Sequence, residues 1–494
     1  MTLLKLENVS FSYADSDEGV GLRNISITIP QGQVVLLCGE SGCGKTTLTR
    51  LINGLIPHFF EGSLTGKVTV CGKDVAGSQL YELSPLVGSV FQNPKSQFYT
   101  VDTDSEIVFG CENIGMPKEQ IQKNLDETIN NLNLYRLLNR SLFELSGGEK
   151  QKIACASVSA LHPKIFVMDE PSSNLDYKGI RELMNVIAGW KRDGCTVIIA
   201  EHRLEWLKTL ADRVIYMSDG QISSDMSMGE FEGKTEEELH AMGLRTEPHF
   251  SPVSKSWENN EDKFIFRNIT FSYKKSRDRK ALDIDTLKLP SGSVVGIVGE
   301  NGAGKSTFAG CLCGLEKHMG GNILYKGNNL ASKDRIKLCY MVMQNVNYQL
   351  FTESVLDELM LSMEKSKLDE TEKRAKAEEI LNKLDLLGYK DRHPMSLSGG
   401  QKQRVSIACA LASDKEILVY DEPTSGLDYR HMIDFAALIK DMQQIGKTQL
   451  IITHDPEIIC QCCDNLMFFE NGKVLWHKAA DADAVAMMHN FFAL

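Results

Sequence analysis

The chain has 494 residues, 42% of them hydrophobic and 24% charged, which suits globular domains and exceeds what one core can serve. Its 54 basic residues against 66 acidic ones leave a formal charge of −12, which argues against a nucleic-acid sheath. No apolar run approaches the roughly 18 residues that span a bilayer, and the first residues, "MTLLKLENVSFSY", lack the form of a signal peptide, so a cytoplasmic protein is expected.

In chain order, the first half reads as short apolar runs that end in polar motifs: "VVLLCG", "IFVMDE" and "TVIIAEH". Such runs predict buried strands of a parallel sheet with function at their C-terminal ends. Between them Ile121, Leu125, Ile129 and Leu132 keep a helical stripe, expected to be core contacts. Residues 236 to 262 read as a connector, charged and containing Pro and Ser. The second half repeats the pattern with "VVGIVG", "ILVYDE" and "LIITHD", and with a stripe at Ala377, Ile380, Leu381, Leu384 and Leu387. The chain is an internal duplication, with domains expected over 1–235 and 263–494. The offset is 260 up to the first glycine-rich loop and 252 after it, so eight extra residues are expected within "NGLIPHFFEGSLTG".

Two motifs, Gly39 to Thr47 and Gly299 to Thr307, each satisfy G-x-x-x-x-G-K-[ST] after a strand. Gly39, Gly42, Gly44, Gly299, Gly302 and Gly304 free backbone N–H groups to face phosphate oxygens, and a helix start adds positive potential. Lys45 and Lys305 are expected on the β/γ phosphates of ATP, with Thr47 and Thr307 beside them. Thr46 and Ser306 are expected on Mg²⁺. Asp169 and Asp421 offer further oxygen to Mg²⁺, and Glu170 and Glu422 a proton acceptor for water.

"LSGGEKQ" and "LSGGQKQ" (Leu145 to Gln151, Leu397 to Gln403) complete the set. Here both halves resemble the ATP-binding-cassette (ABC) ATPases. The fold this resemblance implies is α/β: two tandem P-loop ABC domains, each a RecA-like mostly parallel sheet with antiparallel β and a helical subdomain. It also implies that Ser146, Gly147 and Gly148 close over the nucleotide of the other cassette, and Ser398, Gly399 and Gly400 do the converse, so that the two cassettes pair within one chain. It places Tyr13 and Tyr273 on adenine, a core aromatic being the alternative. It places His202 and His454 on the γ-phosphate, and Gln92 and Gln344 on Mg²⁺ and the water. Asp176 and Asp428 match the loop that crosses between cassettes. Glu149 departs from the usual signature glutamine, and "AEHR" from the commoner "THD"; neither removes a group the chemistry needs.

"FQNPKSQFYT" (91–100) and "MQNVNYQLFT" (343–352) are the same decapeptide 252 residues apart. The stretch "NPKSQFYTVDTDSEIVFGCENIG" resembles the ATPases of energy-coupling-factor (ECF) transporters, where Gln97 and Gln349 match a second glutamine beside the membrane subunit. Phe98, Tyr99, Leu350 and Phe351 then form a docking surface; the alternative is packing onto their own insert. "NGLIPHFFEG" and "AEHRLEW" resemble the subgroup with both ATPases fused. The resemblance implies a peripheral ATPase at the cytoplasmic face, docked on a transmembrane scaffold subunit with a substrate-capturing membrane subunit, and no nucleic acid. Its cargo class is a B vitamin, thiamine precursor, cobalt or nickel, leaning toward a thiamine-type precursor. A sugar-importer tandem ATPase fits the two-glutamine stretch poorly, and a soluble duplicated translation factor would carry a more basic chain. Cys43, inside the first loop, is a candidate for blockage by thiol reagents. Cys460, Cys462 and Cys463 lack the spacing of a metal set and read as small buried hydrophobes.

Overall fold

The computed structural model describes residues 2–14, 21–173, 175–246, 263–273 and 280–492, and the chain divides into two units, the first running to Thr246. Each unit holds two sheets. In the first, a four-stranded antiparallel sheet has the order Gly21–Pro30, Thr2–Tyr13, Gly62–Val70, Lys73–Asp74. A six-stranded sheet runs Gln221–Ser227, Arg213–Ser218, Val34–Gly39, Thr196–Ala200, Ile165–Asp169, Val87–Val90, and only its Gln221–Ser227 edge pairs antiparallel. The second unit repeats both orders, from Leu282–Pro290 to Asn328–Asn329 and from Lys473–Ala479 to Cys339–Val342. These are tandem α/β P-loop domains, as the strand-and-motif pattern implies.

The central strands are buried on both faces because helices cover one side and the antiparallel sheet the other. In the first unit alternate residues of Val34–Gly39 face opposite cores. Val35 and Leu37 face the antiparallel sheet, and Val34, Leu36 and Cys38 the helices. On the helix side Trp190 stacks on Phe166, with centroids 3.7 Å apart and planes at 5°, and its indole N–H donates to the Ser159 hydroxyl at 3.0 Å. In the second unit the core on the antiparallel-sheet side is built around Phe308, which touches Phe266 and Phe469.

The helical inserts contain Thr103–Asn113, Lys118–Leu132 and Gly147–Ser159 in the first unit, and Val355–Ser362, Glu370–Lys383 and Gly399–Ala412 in the second. Ile129 and Leu132 are buried and Ile121 and Leu125 pack beside them; Ala377, Ile380, Leu381 and Leu384 are buried likewise. Leu387 departs from its stripe. The helix ends at Lys383, so Leu387 sits on a separate 3₁₀ turn and is 37% exposed.

Two further expectations need correction. The eight extra residues do not lie in one place. The left-handed turn residues Cys71 and Lys326 are equivalent and stand 255 apart, whereas the strands starting at Val87 and Cys339 stand 252 apart. Five of the extra residues therefore fall between the first loop and Cys71, and three between that turn and Val87. The segment expected as connector begins with structure. Thr235 and Glu238 form a capping box on a helix over Glu236–Ala241, and Leu244 is buried in the first unit's helix-side core. Residues 247–262 lie outside the described residues. Among the described residues no helix is long and apolar enough to cross a membrane.

Trp190→Ala should lower the unfolding free energy of the first unit by about 4 kcal/mol, and Trp190→Phe by clearly less. Denaturant titration checks both; equal losses would show that the stacked ring contributes nothing.

Candidate nucleotide-binding sites

Both glycine-rich loops leave a central parallel strand and enter a helix, Lys45–Ile52 or Lys305–Leu312. Gly39 and Gly299 have φ of +147° and +149°, and an added Cβ would lie 2.2 Å from the Met217 or Phe469 carbonyl oxygen, so only glycine fits. Gly44 and Gly304, both left-handed at φ +103°, turn the chain into the helix. Gly42 and Gly302 face open space, since a Cβ there meets nothing within 4 Å. Such a loop can receive a polyphosphate without displacing side chains.

Lys45 and Lys305 are buried, and their ammonium groups close back over the loop. Lys45 Nζ donates to the carbonyls of Gly39 (2.8 Å) and Glu40 (3.0 Å); Lys305 Nζ to those of Gly299 (2.5 Å) and Glu300 (2.9 Å). The Thr46 hydroxyl donates to Asp169 Oδ1 at 3.2 Å, and Ser306 hydrogen-bonds Asp421. A hydroxyl and a carboxylate at this point form the hard oxygen set that suits Mg²⁺. Tyr13 and Tyr273 turn their hydroxyls to Thr47 (3.2 Å) and Thr307 (3.0 Å). Tyr273 is 46% exposed, whereas Tyr13 leans on the first unit's core and is held by the Arg50 guanidinium (3.0 Å), which also covers the Phe60 ring. Sequence reading missed Arg50 and Phe60. The signal was there: Gly310 takes the place of Arg50 in the second half.

The carboxylates gather at neighbouring strand ends. Gln92 Nε2 donates to Glu170 Oε2 at 2.7 Å. His202 Nε2 stands 3.6 Å from Glu170 Oε1 and His454 Nε2 3.6 Å from Glu422 Oε1. The second histidine also reaches Lys305 Nζ (3.3 Å) and the Asn301 side chain (3.1 Å). Burial pushes Asp169 and Asp421 above the usual carboxylate range. Burial, then the charges of Asp169 and Glu201, lifts Glu170 to about 8. Displaced acidity at converging carboxylates marks a site built for chemistry.

Ser146 and Ser398 are the N-caps of Gly147–Ser159 and Gly399–Ala412, each in a capping box. The departure at Glu149 is absorbed there. Its carboxylate accepts from the Ser146 N–H (2.8 Å) as the Gln401 amide oxygen accepts from Ser398 (2.9 Å), and Arg140 pairs with it at 2.9 Å. Burial opposes its ionisation, but the Ser146 and Arg140 hydrogen bonds favour the carboxylate and hold its pKa below the ordinary value. Gly147, Gly148, Gly399 and Gly400 form the first turns of these helices, leaving backbone without side chains at their starts. Asp176 and Asp428 cap the helices Tyr177–Arg192 and Tyr429–Gln444 within their own units, accepting from Gly179 and His431; Asn174 lies outside the described residues.

The repeated decapeptide is a fastened loop. Asn93 and Asn345 cap short 3₁₀ turns, Gln97 Oε1 accepts from the Phe91 N–H (3.2 Å), and Gln349 Oε1 from that of Met343 (2.7 Å). Glu106 and Glu358, both buried, then accept the N–H groups of Thr100 (2.8 Å) and Thr352 (2.7 Å). The four docking candidates divide. Tyr99 and Phe351 are 77% and 72% exposed. Leu350 is buried, and Phe98 packs on the helix-side core; both turn inward because side chains alternate along this stretch.

Cys43 is buried beneath its loop, with Lys45 Nζ 3.7 Å from Sγ. Burial, partly offset by Lys45, raises its thiol, against the expectation of ready modification. Cys462 and Cys463 are buried, and among the described residues no group of three His, Cys, Asp or Glu converges to hold a metal. Alkylation of Cys43 by iodoacetamide should be slow at pH 7 and still rising above pH 9, because its thiolate fraction grows only beyond the ordinary thiol range. Mass spectrometry over a pH series reads this, and a plateau below pH 9 would refute the burial argument.

Comparison with known proteins shows the family. The sequence model of the ABC transporter family matches residues 22–173 and 282–425. A Treponema denticola protein named as an ABC transporter ATP-binding protein is 46% identical over 478 residues, covering 96% of each chain. One from Methanosarcina mazei, named likewise, is 31% identical over 522 residues, covering 96% of this chain and 88% of its own. A chain of a model of ribosome-bound archaeal Pelota and ABCE1 superposes with TM-score 0.68 at 22% identity, over 97% of this chain and 80% of that one, a likeness of fold. With two complete cassettes in one polypeptide, the chain is an ATPase of the ABC transporter family.

Proposed function

We propose that the chain is the ATP-hydrolysing subunit of an ECF-type importer of a micronutrient, such as a B vitamin, a thiamine precursor, cobalt or nickel. The observation that carries this reading is the pair of exposed aromatics, Tyr99 and Phe351, on two fastened loops that each continue from a site glutamine, Gln92 or Gln344. An aromatic exposed on an otherwise anchored loop suits a protein partner's helices. In this reading the partners are a transmembrane scaffold subunit, which both aromatics meet, and a membrane subunit that captures the cargo. The chain is then peripheral at the cytoplasmic face. This reading assigns the chain no nucleic-acid partner.

Within each site, ATP is held by the glycine-rich loop, with Lys45 or Lys305 leaving the loop carbonyls for the phosphates. Thr46 with Asp169, and Ser306 with Asp421, would hold Mg²⁺, with Gln92 and Gln344 beside them; the ion supplies charge neutralisation for phosphoryl transfer. Glu170 and Glu422 accept the proton of the attacking water, and His202 and His454 orient the transferred phosphate. Ser146 and Ser398 present helix starts suited to an anion; the expected pairing of the two cassettes around ATP belongs to this same reading.

Glu170→Gln combined with Glu422→Gln should retain ATP binding while turnover falls by about 100-fold or more. Unchanged hydrolysis would sink the assignment of both carboxylates. Purification of the tagged chain from detergent-solubilised native membranes should bring down two small, very hydrophobic proteins, and Tyr99→Ser with Phe351→Ser should lose them. Ribosomal proteins in their place would leave the ATPase chemistry standing and overturn the transporter reading.

A further inference from the structure

Glu170 and Glu422 both stand in the left-handed backbone region, at φ +45° and +52°. A glutamate adopts this conformation only where its surroundings over-determine it. One tether is evident in each unit: the Glu170 N–H donates to the Ala200 carbonyl and the Glu422 N–H to that of Ile452, both at 2.8 Å. A second tether lies two residues on. Ser172, fully buried, donates its N–H (3.1 Å) and its hydroxyl to Glu201 Oε1. In the second unit the Thr424 hydroxyl donates to Asp455 Oδ2 at 2.6 Å.

The two carboxylates do the same work from different places. At the 252-residue spacing Glu201 matches Thr453, and Arg203 matches Asp455. The acidic residue has moved from the third position of the tripeptide to the first, and the extra methylene of glutamate lets it reach the same loop. Both carboxylates are buried, at 2% and 5% exposure. Their second oxygens also fix the segment that carries the histidine. Glu201 Oε2 accepts from the N–H of His202 (2.9 Å) and Arg203 (3.3 Å), and Asp455 Oδ1 from that of Glu457 (3.1 Å). A buried carboxylate is costly to keep, so its presence at one point in both units, supplied by different residues, points to what that point must do.

We propose that Glu201 and Asp455 are positioning residues: each clamps the turn after Glu170 or Glu422 to the histidine-bearing segment and so holds the water-directing carboxylate in its left-handed pose. The proposal rests on the role given to Glu170 and Glu422 under Proposed function. It makes the departure "AEHR" a relocation of one group rather than the loss of one.

The test transplants the second unit's arrangement into the first. Glu201→Thr alone should lower kcat for ATP by at least about twofold, and by more if the sites are coupled, with KM changed less than about twofold because the phosphate loop is not touched. Adding Arg203→Asp should return kcat to the wild-type value, since the carboxylate then comes from the position it occupies in the second unit. Thermal denaturation of each variant confirms folding. A Glu201→Thr/Arg203→Asp protein that stays slow, or does not fold, overturns the clamp. If Glu170→Gln with Glu422→Gln hydrolyses ATP normally, the roles of the two glutamates fail instead, whatever the transplant does.

Discussion

Parallel pairing of Val34–Gly39 between Thr196–Ala200 and Arg213–Ser218 is the constraint on which each site depends. Parallel strands end at one edge of the sheet, so the glycine-rich loop, the Asp169–Glu170 pair and the His202 segment emerge side by side though they are far apart in sequence. The Ile165–Asp169 strand pairs with Thr196–Ala200 in the same direction, which sets Glu170 against Ala200 and lets one backbone hydrogen bond hold it. The second unit reproduces every one of these pairings with Val294–Val298, Ile417–Asp421, Thr448–Ile452 and Asn465–Glu470.

Much of this was legible in the sequence because the determinants are local. A glycine at φ +147° beside a carbonyl admits no substitute, and a serine before two glycines caps a helix in either half. What escaped was set by features that an apolar pattern or a motif offset does not display. The extra residues of the first half divide into five and three, and an offset measured between motifs sees only their sum. The inward turn of Phe98 and Leu350 follows from loops held locally by Gln97, Gln349, Glu106 and Glu358, polar groups that a pattern of apolar residues does not display. The helix at Glu236–Ala241 was hidden by its charge; its capping box was readable, but the few apolar residues that dock the stretch, Leu239, Met242 and Leu244, are scattered among charged ones.

Duplication also supplies an internal control. Where the halves agree, as in the lysines and the serine caps, a single reading covers both. Some differences fall on groups that support the site: Arg50 and Phe60 behind Tyr13, Glu149 in place of Gln401 beside Arg140, and the exchanged acid at Glu201 and Asp455. The two sites thus share strand pairings and candidate residues but not every supporting contact, so equal architecture does not require equal rates.

The fastening of the decapeptide loops has a mechanical consequence. A loop tied to its own backbone by Gln349 at both ends of the amide, and to a buried glutamate further on, has few soft torsions left. Under the proposed function, a displacement of its site glutamine would be carried to the exposed ring at the far end and to the helix that holds the glutamate, rather than taken up by bending within the loop. Stiffness, not reach, is then what the repeated ten residues would lend a docking ring, with the second loop the more fully tied.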